Sequence, residues 1–265
     1  MSSQRIIFTT SWDDGCALDT RIARLLDTYG LKGTFYVPIQ FSDVGSKFSS
    51  YTRRLSDEEI HQMAKTQEIG SHSYTHGDLL KMDSVALHRE IVESKRELEK
   101  IAAVPVRMFC YPRGKVSLEI EQSIKEAGYI GARQTTKLCM TLPRDPFALG
   151  VTVQCAPFPF RKRHAHQYEW RHLLDPLKSY GTALRAEPAL WTTLSSWPRF
   201  ARAVFAHANQ NGQEDAYFHL YGHSWEIDRC GMWGDLESFL QEIASYPSLV
   251  PMTNSEVVGL LRPNL

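Results

Sequence analysis

Arg5-Ile6-Ile7-Phe8-Thr9-Thr10-Ser11-Trp12-Asp13-Asp14-Gly15 is the stretch on which the fold turns. Arg5 to Trp12 is rich in β-branched and aromatic residues, which suits a strand, and Asp13-Asp14-Gly15 then breaks it. The period changes at once. Leu18, Ile22, Leu25, Leu26 and Tyr29 share one helical face, and Gly30 suits the C′ position that ends it. Gly33 to Val37 reads as a second strand, completing a β-α-β unit.

The alternation continues down the chain. Ser56-Asp57-Glu58-Glu59 is a capping box for a helix running towards Thr66, and Glu68 to Ser71 reads as a third strand. Leu87, Ile91, Leu98 and Ile101 mark a long amphipathic helix, followed by a short strand at Val106 to Cys110. Ser117 caps a helix bearing Ile120, Ile124 and Ala127 before Gly128, and Tyr129 to Ala132 is one more strand. Repeated βα units with right-handed crossovers give an α/β fold with a parallel sheet, open or closed into a barrel. The chemically loaded segments all lie just after strands, where barrel active sites gather, so a barrel is expected. Residues 151–213, punctuated by Pro157, Pro159, Pro176, Pro188 and Pro198, read as helices and loops inserted between barrel strands. A strand at Tyr217 to Tyr221 and a helix at Leu236 to Ile243 restore regularity.

The 265 residues suit one domain, 1–265, and 43% hydrophobic content supplies its core. Thirty basic against thirty acidic residues leave no global field to draw the protein onto nucleic acid or an anionic membrane. No apolar run approaches the length of a membrane span, so no stable membrane insertion is expected. Five cysteines, none in a C-x-x-C pair, argue against a disulfide framework or a Cys-based zinc site. With no signal-peptide pattern at residues 1–8, a cytoplasmic location is expected.

Three clusters carry chemistry. Asp13-Asp14 closes the first strand, and neighbouring side chains on extended backbone point opposite ways, so one carboxylate can bind a cation while the other serves as a base. Asp-Gly is also an ordinary turn pair. His72 and His76 stand four apart, a spacing that on a helix would let them share a metal with a carboxylate; solvated or core histidines fit the same spacing. On the last strand, alternation places His219, Tyr221 and His223 on one side. His223, nearest the C-terminal end, could donate a proton to a leaving group, whereas His219 reads as an interior histidine bonded to backbone.

In this order the clusters resemble the polysaccharide deacetylases, the NodB-homology enzymes of carbohydrate esterase family four. Ser11-Trp12-Asp13-Asp14-Gly15 is similar to their (T/S)-F-D-D-G opening, with Trp12 in place of Phe, and Gly33 to Val37 resembles their second strand. His72-Ser73-Tyr74-Thr75-His76 matches H-(S/T)-x-x-H at every defined position. Phe109-Cys110-Tyr111-Pro112-Arg113-Gly114 resembles the P-x-G motif, and His223 falls where the final histidine is expected. The resemblance covers about residues 5–135 and 217–260. Two departures stand out. Many members carry an arginine two residues before the P-x-G proline to orient the catalytic aspartate; Cys110 is there instead, leaving Arg133 or Arg113 to substitute. The Asp-and-Trp motif that tunes the last histidine has no clear match, and Glu226 is a candidate replacement.

The resemblance implies a deformed (β/α)7-8 barrel with a divalent metal, Zn²⁺ by default and Co²⁺, Fe²⁺, Mn²⁺ or Ni²⁺ as alternatives. It implies hydrolysis of an N-acyl group, such as acetyl, on an amino sugar. Asp14, His72 and His76 would hold the metal, Asp13 would be the base, the Arg113 backbone N–H would complete an oxyanion hole, and His223 would protonate the leaving amine. Trp12, Tyr74, Tyr111 and Trp225 lie beside the motifs, as sugar-facing rings or equally as core residues; Trp12, Tyr111, Trp225 and Glu226 are the candidates for sugar contact. The cytoplasmic expectation favours a small-molecule or carrier-linked sugar, nucleotide- or lipid-linked. Arg161-Lys162-Arg163 is a candidate contact for its phosphate, or a solvated face. Deformylation or another C–N hydrolysis on the same fold is the alternative chemistry, and a catalytically inactive carbohydrate-binding protein the alternative class.

Overall fold

The computed structural model describes residues 5–40, 53–158, 161–164, 167–169, 174–185, 187–210 and 215–261. The strands are β1 (Ile6–Asp13), β2 (Gly33–Val37), β3 (Glu68–Ser71), β4 (Met108–Cys110), β5 (Gly131–Arg133), β6 (Val153–Cys155), β7 (Arg161–His164), β8 (Gln167–Glu169), β9 (Ala216–Gly222) and β10 (Leu249–Pro251). Eight of them form a parallel sheet, seven in the order β5-β4-β3-β2-β1-β9-β6 and the eighth, β10, beside β1 off this path. β10 pairs with the first half of β1, at Ile6 to Phe8, and β2 with its second half, at Thr10 to Asp13. Every residue of β1 is buried, which is why Ile6 to Thr10 reads as a run of apolar and β-branched residues.

The two ends of the sheet curl towards each other. Arg133 bridges to Leu149 in parallel, and the Thr152 N–H donates to the His219 carbonyl at 2.9 Å. The segment that leads into β6 therefore touches β5 at its start and β9 at its end. The expected deformed barrel is the observed fold, with β4, β5 and β6 only three residues long.

The helices are α1 (Asp19–Thr28), α2 (Asp57–Met63), α3 (Ser84–His88), α4 (Ser94–Ala102), α5 (Leu118–Glu126), α6 (Asp175–Leu184), α7 (Trp197–Gln210), α8 (Ser224–Arg229), α9 (Trp233–Ala244) and α10 (Asn254–Leu261). Ile22, Ile60, Leu98, Ile124, Phe200 and Leu240 pack from the helices onto outward strand residues such as Phe8, Phe35, Phe109 and Phe218. Each such buried side chain contributes about 1.5–3 kcal/mol. Ser56 and Glu59 form the anticipated capping box, and Ser117 accepts from the Ile120 N–H as a cap.

Two sequence expectations need correction. The helix over Leu87 to Ile101 is interrupted by a π-helical turn, Arg89–Glu93, between α3 and α4. In the 151–213 segment, β6 is a strand of the main sheet, and α7 packs on β9 through Phe205 against Phe218, with ring centroids 5.4 Å apart. Among the described residues of this segment, β7 and β8 form a separate hairpin. No helix among the described residues is long and apolar enough to cross a membrane.

Candidate active site

Strand alternation decides which side chains reach the site. Trp12 shares its parity with Ile6 and Phe8, and it is fully buried among the residues between sheet and helices. Its Nε1–H donates to Thr10 at 3.0 Å. Tyr111 is 1% exposed and donates to the Phe147 carbonyl. Neither presents a face to a sugar, which corrects the substrate role expected for both. Ser11 and Asp13 have the opposite parity and point inward, as do Cys110, Arg133, His219 and Tyr221.

Asp13 ends β1, but Asp14 is no longer extended: its φ is 79°, and that of Gly15 is 62°. The two carboxylates are separated by this left-handed turn and not by strand alternation. Asparagine and aspartate tolerate that region better than most residues. Gly15 is required, since a Cβ there would meet Val37 Cγ1 at 2.9 Å. Trp225 fixes the result by donating Nε1–H to Asp14 Oδ2 at 3.0 Å.

His72 and His76 meet without a helix. Ser73 and His76 take left-handed backbones, with φ of 66° and 60°, so the helical reading of this pair is corrected. Glu90 holds the loop: its carboxylate accepts from the Tyr74 and Thr75 N–H groups at 2.9 and 2.8 Å and from the Thr75 hydroxyl at 2.5 Å. Glu90 lies in the π turn and is 4% exposed. Such turns often mark functional sites, because one extra residue rotates a side chain out of helical register. Sequence reasoning missed Glu90; its only signal was an acidic residue beside the apolar positions 87 and 91.

The donor atoms converge. His76 Nε2 lies 3.7 Å from Asp14 Oδ1, and His72 Nε2 lies 3.9 Å from the same oxygen. These separations exceed a hydrogen bond and suit donors placed around one ion. His72 Nδ1–H donates to the Cys110 carbonyl at 3.0 Å, which directs the Nε2 lone pair inward. Burial lowers the His72 pKa to about 4 against the pull of Asp13. Burial and His72 lower that of His76 to about 4 as well. Both imidazoles are therefore neutral, as ligands must be.

Asp13 is chemically distinct. Burial alone would raise its pKa, but Arg133, then His72 and His223, overcome that and bring it to about 2. Arg133, fully buried on β5, donates Nη2–H to both Asp13 oxygens, and Tyr221 and Tyr36 flank its guanidinium at 4.4 and 5.3 Å. Of the two arginines considered as substitutes at the Cys110 position, it is Arg133 that pairs with the aspartate. Arg113 is exposed and sits in a left-handed turn, φ 59°, where its charge helps keep His76 neutral.

His223 follows β9 and faces both carboxylate groups. Its Nε2 lies 3.9 Å from Asp14 Oδ2 and 3.3 Å from the Tyr221 hydroxyl, and its Nδ1 lies 3.7 Å from Glu226. Burial disfavours its charge, yet Glu226, Asp14 and Asp13 prevail and raise its pKa to about 9. Glu226 is 5% exposed, so it serves His223 and not a sugar, a correction to the substrate role. Trp225 lies over the His223 ring at 5.5 Å and is half-buried at the site. His219 is an interior histidine held by side chains, not backbone, through its ring nitrogens: Ser11 at 2.7 Å and Tyr217 at 2.8 Å. The side chains of Arg161, Lys162 and Arg163 lie outside the described residues.

Comparison with known proteins gives a consistent picture. Residues 2–132 match the profile of the polysaccharide deacetylase family. A curated bifunctional xylanase/deacetylase of Pseudobutyrivibrio xylanivorans is 25% identical over 122 residues, 46% of this chain and 19% of that protein. A structure from Mycobacterium smegmatis, assigned as a polysaccharide deacetylase, aligns with a TM-score of 0.66 at 14% identity, covering 99% of this chain and 92% of the other. The family 4 acetyl xylan esterase of Clostridium thermocellum, in complex with a cobalt ion, aligns at 0.57 and 16% identity, covering 96% and 91%. At these identities the structural likeness speaks for the fold.

Proposed function

Because residues 2–132 place the chain in the polysaccharide deacetylase family, we propose that it hydrolyses the N-acetyl group of an amino sugar with a divalent cation held by Asp14, His72 and His76. The observation that carries this is the division of charge around one point. Two neutral imidazoles and one carboxylate converge, while a second carboxylate is reserved by Arg133 and a charged histidine stands opposite. Donors of this kind suit Zn²⁺ first, with Co²⁺, Fe²⁺, Mn²⁺ and Ni²⁺ as alternatives. A cation bound there lowers the pKa of a water molecule and polarises the acyl oxygen.

The chain's own residues do the rest. Asp13, ionised throughout the neutral range, accepts the proton of the attacking water. The Arg113 N–H, presented by its left-handed turn, donates to the acyl oxygen as negative charge develops. His223, charged at neutral pH, donates its Nε2 proton to the departing amine, with Glu226 at Nδ1 holding the ring. Trp225 offers its half-buried ring to the sugar. Residues 1–265 are taken as one domain, and Arg161, Lys162 and Arg163, which follow β6 in the chain, are the proposed partners for a phosphate on a nucleotide- or lipid-linked substrate.

The test is to strip the protein with chelator, reload it with each divalent ion, and measure acetate and formate released from chito-oligosaccharides, N-acetylglucosamine and a nucleotide-linked N-acetyl sugar. Metal-dependent acetate release is expected. Formate from N-formyl sugars without acetate would move the assignment to a deformylase. Saturable sugar binding with no product under any metal would leave a binding protein.

A further inference from the structure

A second set of donors shares His72 with the first. Cys110 Sγ lies 3.8 Å from Asp13 Oδ2 and 3.9 Å from His72 Nε2, and His72 Nε2 lies 3.8 Å from Asp13 Oδ2. These three edges make a near-equilateral triangle, whose centre lies about 2.2 Å from each corner (the edge divided by √3). That radius falls between the oxygen, nitrogen and sulfur distances of a zinc-type ion, roughly 2.0–2.3 Å. All three side chains are buried. We propose that Cys110, His72 and Asp13 form an alternative site for a thiophilic cation such as Cd²⁺ or Zn²⁺, in competition with the Asp14, His72 and His76 site.

Ligand softness separates the two sets. The first offers oxygen and nitrogen only; the second adds a sulfur, which selects soft ions over Mn²⁺ or Mg²⁺. Charge also balances. A thiolate at Cys110 with Asp13 and Asp14 gives three negative charges against a divalent ion and Arg133. Asp13 stays paired with Arg133, because Oδ1 keeps its contact with the guanidinium while Oδ2 exchanges its own for the ion. Binding breaks one Sγ–H bond, forms one metal–sulfur bond and releases one proton to the buffer. A soft ion would thereby occupy Asp13 and divert His72. The resulting inhibition rests on the proposed role of Asp13 as base; the binding itself does not.

The experiment uses chelator-treated protein titrated with Cd²⁺, read by the ultraviolet thiolate-to-cadmium band and by ¹¹³Cd NMR. One thiolate per bound ion is expected, with a ¹¹³Cd resonance downfield of the range for oxygen and nitrogen ligands alone. Cys139 and Cys230 are partly exposed, so Cys139→Ser/Cys230→Ser serves as the background and should keep the band. Adding Cys110→Ser should abolish it and lower Cd²⁺ affinity roughly ten-fold or more, with Mn²⁺ affinity unchanged. His76→Ala should keep the band while losing Mn²⁺, which distinguishes this site from the proposed catalytic one. A band that survives Cys110→Ser, or a wild-type ¹¹³Cd shift typical of oxygen and nitrogen ligands, overturns the proposal. The NMR arm needs no variant, so a Cys110→Ser chain that fails to fold leaves the outcome decidable.

Discussion

Replacing Arg133 by methionine keeps much of its length and removes the charge that keeps Asp13 ionised. In the folded protein the Asp13 pKa falls from 3.8 to about 2. A shift of that size corresponds to about 2.5 kcal/mol of stability. Because the folded pKa is depressed, this stability is present above about pH 4 and is lost as pH falls through about 2. Without Arg133, the largest influence opposing burial is lost and the Asp13 pKa rises from its value of about 2. The variant then carries an unpaired buried charge at neutral pH, costing about 3–5 kcal/mol, and is relieved as acid protonates Asp13. Urea unfolding of chelator-treated protein from pH 3 to 8 should therefore show a deficit that is largest near pH 7 and shrinks towards pH 3. Arg133→Met/Asp13→Asn should recover most of it, since the second change removes the stranded charge. In metal-loaded protein the acidic limb of kcat/KM should move upward. A deficit independent of pH and not recovered by Asp13→Asn would refute the reasoning; Arg133 would then act only as packing between Tyr36 and Tyr221.

Asp14→Asn and Asp13→Asn should fail differently. The first weakens metal binding with activity partly restored at high metal, while the second keeps the metal and loses roughly 10²–10⁴-fold in kcat; metal analysis beside kinetics separates them. His72→Ala and His76→Ala should each abolish bound Mn²⁺ and turnover with the circular dichroism spectrum retained, because the apolar core lies elsewhere. Activity should fall as pH rises through about 9, where His223 loses its proton; Glu226→Gln should move that limb downward, and an unmoved limb in the pH–rate profile would assign it elsewhere. Glu90→Gln replaces one acceptor oxygen with a donor and should weaken metal affinity by roughly 10–100-fold through the loosened 73–76 loop, as read by metal titration.

Much of the barrel could be read in advance because its signals are local. β1 is buried on both faces and so is rich in β-branched and aromatic residues, and the caps at Ser56 and Ser117 are written in adjacent residues. The segment after 151 was harder: β6 has only three residues, and the burial of α7 depends on β9, which comes later in the chain. At the site, the residue types were legible but the reason for their geometry was not. The four-residue spacing of His72 and His76 suggested a helix, whereas the rings meet, 4.6 Å apart, across two left-handed residues. Backbone of that kind persists only when something outside the loop holds it. Glu90 does so from a π turn whose extra residue has no period to detect.

Arg133 makes the same point across strands. Motif comparison looks along β4 for a guanidinium and finds Cys110. In the sheet, however, Cys110 and Arg133 are direct neighbours, paired in register between β4 and β5. Both occupy the last position of their strand and point inward. Asp13 requires a buried cation within reach of its carboxylate, and a curled sheet can supply it from any strand whose inward end faces the axis. A long side chain on β5 therefore meets the need from one strand further away, and the position it frees on β4 can hold a small, soft donor. That exchange leaves the electrostatics of Asp13 intact and places a sulfur against His72. The altered motif thus has two separable consequences: the low pKa of Asp13 depends on Arg133, while affinity for soft metals depends on Cys110. Arg133→Met should change the first without abolishing the Cd²⁺–thiolate signal, and Cys110→Ser should abolish that signal without raising the acidic limb. If both variants moved both readouts together, the cation and the thiol would be one coupled unit, and the strand-exchange argument would fail.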